Sequence, residues 1–88
     1  MTRELALRII EEEGLDDFNI FNEQKNRENE IVITKKNDKW ITYATDERAN
    51  FVIGSEGVFD SESQAWDDFI ERLRVGKRLK LRHNGKYF

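Results

Sequence analysis

Residues 61–75 constrain the fold most. Ser61-Glu62-Ser63-Gln64 is a capping box, in which the serine hydroxyl takes an orphan backbone N–H and the glutamine reaches back to the cap. Asp60 is an alternative cap one residue earlier. Behind the box, Ala65, Trp66, Phe69, Ile70 and Leu73 recur at helical spacing, with Glu62, Asp67, Asp68 and Glu71 toward the other face. Arg72 and Arg74 suit the negative end of the helix dipole, and Gly76 is a candidate terminator. The spacing predicts a helix over 62–75 with one apolar stripe. That stripe has to be buried against something, and the preceding sixty residues must supply it.

They do so with one more helix and a run of short strands. Thr2 is positioned to cap a helix over 3–13, where Leu5, Ala6, Ile9 and Ile10 form a stripe widened by Leu7 and Gly14 supplies the stop. Glu11, Glu12 and Glu13 crowd its last turn, where the dipole disfavours negative charge. Phe18 and Ile20 alternate with Asn19 and Phe21, which suggests a short strand before the polar stretch 22–30. The β-branched run at 31–34 and the run at 40–45 flank a hairpin turn centred on Asn37-Asp38, and residues 51–54 read as a further strand. This is an antiparallel pattern, not one of βαβ crossovers. Beyond Gly76, Asn84-Gly85 signals a final hairpin or short strand, with a helical extension as the alternative. The expected architecture is α+β: an N-terminal helix, a three- to four-stranded antiparallel meander, and the second helix packed on one face. Residues 1–88 read as a single domain. Ile9, Ile33, Ile53, Trp66, Phe69, Ile70 and Leu73 are its expected core.

Composition excludes several function classes. With no cysteine there is no disulfide framework, thiolate zinc site or cysteine nucleophile, and a cytoplasmic home is expected. The start of the chain lacks the apolar core and cleavage site of a signal peptide, and no window suits a membrane span. A single histidine, His83, rules out a multi-histidine metal site. The carboxylate pairs Asp16-Asp17, Asp46-Glu47 and Asp67-Asp68 are commonplace in a chain that is 38% charged, and adjacent residues diverge on helices and strands. Gly54-Ser55-Glu56-Gly57 looks like a turn rather than an anion cradle. No catalysis, cofactor, membrane or small-molecule ligand is expected.

Net charge is −3, but the charge is unevenly placed. Residues 1–71 hold all 18 acids and eight bases, a balance of −10, while residues 72–88 hold seven bases and no acid. The plainer reading is self-neutralisation, the basic segment packing beside the acidic helices. The sharper one is a small nucleic-acid-binding or regulatory module, with Tyr87 and Phe88 beside those bases for stacking. It ranks second because the acidic remainder repels phosphates. A third class is protein binding. Trp40 and Tyr43 lie on opposite faces of one strand, and two helices cover only one side of a sheet, so one of these aromatics could anchor a partner.

Three segments carry a resemblance: Trp40-x-x-Tyr43-x-x-Asp46-Glu47-Arg48, then residues 59–65 (FDSESQA), then Phe69-Ile70-Glu71-Arg72-Leu73. Across residues 31–73 the chain resembles the small immunity proteins of bacterial polymorphic-toxin systems, in particular the immunity protein fifty-nine group. Ala49 stands where that pattern has a glycine. The resemblance implies a cytoplasmic, non-catalytic protein that binds a cognate toxin and occludes its active surface. Candidate contacts are Trp40, Tyr43, Asp46, Glu47 and Arg48, with the acids Glu12, Glu13, Asp16 and Asp17 suited to a basic toxin. Equally, Arg48 could pair with Asp60 or Glu62 and pin the strands to the helix. On the contact reading, alanine at Asp46 or Glu47 weakens binding without lowering stability.

Overall fold

The computed structural model describes residues 1–85, with side chains for all of these except Glu23 and residues 81–85. The first helix, α1 (Arg3–Glu13), starts where Thr2 Oγ1 accepts from the Leu5 N–H at 3.1 Å. It ends at Gly14, whose left-handed φ of 62° lets the Leu15 N–H turn back to the Ile10 carbonyl at 3.0 Å. Only Ala6 and Ile10 are buried and Ile9 is half-buried, while Leu5 and Leu7 stay exposed. The stripe is narrower than expected because α1 packs chiefly on one neighbour, the second helix.

Four strands follow: β1 (Phe18–Ile20), β2 (Ile31–Lys36), β3 (Lys39–Ala44) and β4 (Gly57–Phe59), in that order across one sheet. The β2–β3 hairpin turns at Asn37-Asp38 as expected, with Asn37 at φ 57°, in the region that hairpin turns need at their first position. β4 pairs antiparallel with β3. The first pair departs from a pure meander: β1 runs parallel to β2, Phe18 opposite Ile31 and Ile20 opposite Ile33. Residues 21–30 are therefore a crossover rather than a hairpin. So short a crossover suffices because β1 is only three residues long, which keeps the return path short.

The strand expected at 51–54 is not there. Only Phe51 bridges, to Thr45, and regular pairing resumes at Gly57 opposite Thr42. Between these pairings β3 contributes two residues, 43 and 44, against five, 52–56, on the other side. Three residues are thus looped out of register, and the expected core residue Ile53 stands 92% exposed.

The last helix, α2 (Glu62–Gly85), begins as its capping box dictates, with Ser61 Oγ accepting from the Gln64 N–H at 3.2 Å. It packs across β2, β3 and β4. Trp66, Phe69, Ile70 and Leu73 are buried with Ala6, Ile10, Leu15 and Ile33, and Ile9, Ile31, Trp40 and Phe59 close around them. Gly76 does not stop the helix, nor does Asn84-Gly85 form a hairpin. A glycine inside a helix costs about 1 kcal/mol, and beyond it Lys77 and Lys80 tie the next turn to the end of α1 and to the segment that follows. Tyr87 and Phe88 lie outside the described residues.

Candidate functional site

The residues singled out in the sequence fall in two places. The first is the seam between the end of α1 and the basic half of α2. Arg74 grips Glu13 with two hydrogen bonds, 2.6 and 3.0 Å, and Lys77 donates to the Glu13 carbonyl. Lys80 bonds both Asp17 and, at 3.3 Å, Asp16. The Arg74 hydrogen bonds hold the Glu13 carboxyl below the ordinary carboxylate range, and bonding to Asp17 and then Asp16 pushes Lys80 up. Arg72 pairs with Asp68 and Arg78 with Glu71. The described bases of this segment, Arg72, Arg74, Lys77, Arg78 and Lys80, are taken up by acids and a carbonyl of the same chain and do not form a free phosphate-binding stripe. Glu12 is exposed and stands outside these pairs.

The second place is the connection after β3. Asp46 Oδ1 accepts from the backbone N–H groups of Arg48 (2.8 Å) and Asn50 (3.0 Å), and its carbonyl accepts from Asn29 and Ala49. One carboxylate therefore shapes the whole turn. Ala49 sits at φ 63°, a left-handed conformation that suits glycine. Glu47 and Arg48 are exposed. Arg48 pins nothing to the helix: Asp60 pairs with Lys39, and Glu62 pairs with Arg3 at 2.7 Å. Lys39 lowers the Asp60 carboxyl, and Arg3, aided by the Trp66 indole N–H, lowers that of Glu62.

Neither expected aromatic stands free. Trp40 is on the helix face, half-buried against Phe21, with ring centroids 5.8 Å apart. Tyr43 is on the opposite face but only 8% exposed, edge-on to Phe51 at 5.4 Å, its hydroxyl hydrogen-bonded to Asn26 of the crossover. The crossover thus covers the β1–β2 side of that face. Toward β4 the cover thins, leaving a cavity of about 350 Å³ lined by Thr34, Lys36, Ile41, Tyr43, Phe51, Glu56 and Val58.

Beside this cavity lies the feature that sequence reasoning missed. Residues 52–55 form a tight turn closed by Ser55 N–H to the Val52 carbonyl at 3.1 Å, with Gly54 at φ 86° as a type II turn requires. Ser55 Oγ donates to the Val52 carbonyl at 2.6 Å and accepts from the Ala44 N–H at 3.1 Å, which fixes the turn to β3. Phe51, Val52, Ile53 and Val58 are all exposed around it. The legible signal was Gly54 at the end of an apolar run, which argues for a bend rather than a strand interior.

Chemically these surfaces suit protein recognition. Most of the carboxylates are engaged with cations or backbone N–H groups, and among the described residues no group of three His, Cys, Asp or Glu could hold a metal ion. Nor is any described helix long and apolar enough to cross a membrane. The family model described as Immunity protein 59 matches residues 2–85. No curated protein and no solved structure matches the chain.

Proposed function

The chain belongs to the immunity protein 59 family, and on that premise we propose that it binds a cognate bacterial toxin domain in the cytoplasm and neutralises it by occluding its active surface. The family match over nearly the whole chain carries this reading. No catalysis by the chain itself is part of it. The charges left over after internal pairing support a basic partner. The carboxylates of Glu4, Glu11, Glu12, Glu28, Asp38, Glu47 and Glu56 stand outside the ion pairs and hydrogen bonds of the described residues, against Arg8, Lys25, Lys35 and Arg48 among the bases. An acidic outward surface speeds encounter with a cationic active site and repels acidic competitors.

Of the contacts expected from the resemblance, Glu12, Glu47 and Arg48 are free to meet a partner directly. Glu13, Asp16 and Asp17 would exchange a lysine or arginine of this chain for one of the toxin. Asp46, Trp40 and Tyr43 would act by holding the surface in shape. The test is co-expression with the C-terminal domain of the protein encoded immediately upstream, followed by affinity capture and size exclusion. Co-elution as one species with rescue of growth is expected. No complex and no rescue would sink the proposal.

A further inference from the structure

Large apolar side chains exposed singly or as a pair are ordinary on a surface, and Leu5, Leu7 and the Val75–Leu79 pair one helical turn apart are of that kind. Residues 51–58 are different. Four exposed apolar side chains fall within eight residues, and Ile53 is the most exposed of all at 92%. A floppy loop would let that side chain fold back onto the cavity beside it. Here the type II turn and the two Ser55 hydroxyl bonds hold the tip to β3 and keep Ile53 in solvent. Holding an isoleucine in water gives the isolated chain nothing, whereas a preorganised apolar anchor gives a partner affinity at low entropic cost.

Resting on the toxin-binding reading above, we infer that the turn at residues 52–55 is the anchor of the interface. Ile53 enters an apolar pocket of the toxin domain that is ringed by lysine and arginine, with Phe51, Val52 and Val58 packing around its mouth. The ring follows from charge. On the connection that carries the anchor, Glu47 and Glu56 outnumber the one base, Arg48, and none of the three stands in an ion pair among the described residues, so the surround of the anchor is net negative. The same acids argue against a second copy as occupant, because a two-fold contact sets a patch against itself and would bring like charges together.

The experiment titrates the full chain and its variants against the C-terminal domain of the upstream-encoded protein by calorimetry, with melting curves and sedimentation of each variant alone. Ile53→Ala should weaken binding about 30-fold and Ile53→Asp about 100-fold or more, as a central anchor does. Melting curves should not move, and Leu7→Asp should bind like the parent. Glu47→Gln with Glu56→Gln should slow association several-fold at low salt and not at high salt. If the parent binds and Ile53→Asp binds within about twofold of it, the anchor is refuted while the toxin-binding reading stands. If the charge variants associate at the parent rate at low salt, the basic ring is refuted. Should the chain alone be a dimer that Ile53→Asp dissociates, the occupant is a second copy and the inference fails. A parent that forms no complex overturns the toxin-binding reading, and this inference with it.

Discussion

The two faces of the sheet are made from alternate residues of the same strands and meet different fates. Toward the helices, Ile33 and Thr42 are fully buried, Thr42 donates to Asp68 of α2 at 2.6 Å, and Trp66 and Phe69 fill the space between. On the opposite face the cover is made of connections rather than helices. The crossover seals Val32 and Tyr43, but past Tyr43 only Phe51 reaches over, and Ile41 and Val58 border an open cavity. A helix offers a continuous stripe of side chains along a whole sheet, whereas a short connection covers only where it crosses. One face is therefore closed along its length, and the other is closed beneath the crossover and leaves apolar surface open toward β4.

The strongest way to break that contrast is Trp66→Ala. The side chain is fully buried, its indole N–H donates to Glu62 at 2.9 Å, and its loss should cost about 3–5 kcal/mol in urea unfolding. A cost below 1 kcal/mol would mean that the helix face is not where stability resides. Asp46→Ala should cost about 1 kcal/mol by freeing two backbone N–H groups, while Glu47→Ala should stay within about 0.5 kcal/mol. Structure thus revises the expectation that the two acids are equivalent, and equal stability of both variants would restore it. Ala49→Gly should raise stability by about 0.5–1 kcal/mol, since it relieves a left-handed alanine at some entropic cost in the unfolded chain. No gain would mean that the turn relaxes in solution.

The smallest effect sharpens the α1–α2 seam. Glu13 and Glu62 are held below the ordinary carboxylate range by Arg74 and Arg3, so between their folded and ordinary values the unfolded chain binds more protons. Their contribution is complete above the ordinary range, about pH 4–4.5, and is lost as pH falls through the folded values. These pairs are exposed and screened, so the decline should be shallow and salt should flatten it. A Glu13→Gln variant whose melting temperature follows the parental pH profile would remove Glu13 from this account.

Legibility in the sequence followed the range of the physics involved. Thr2, Gly14, Ser61 and Asn37-Asp38 act within a few residues, and each appears where its spacing placed it. The stripe of α2 was legible through Leu73 because periodicity is local too. Gly76 misled because the contacts that carry the helix past it come from residues about sixty positions away. Ile53 misled because the apolar run 51–53 reads as a strand, and only Gly54 behind it signals the bend. The likeness to immunity proteins was visible at 31–73, and Ala49 was already conspicuous there as a missing glycine. Its positive φ gives the reason. Of the residues expected to meet a partner, Asp46 and Tyr43 proved to be engaged inside the fold, which only their hydrogen bonds reveal.

By itself the sequence determined where both helices begin, where the first helix ends, the hairpin at Asn37-Asp38, which face of the second helix is apolar, and that bases gather after residue 71, since propensity, capping and periodicity are properties of neighbours along the chain. Tertiary structure decided the direction of β1, the pairing of the basic segment with Glu13, Asp16 and Asp17, and the three residues looped out before β4. Each of these depends on which distant groups meet once the core has closed, and on which side of the sheet a connection must pass to let it close.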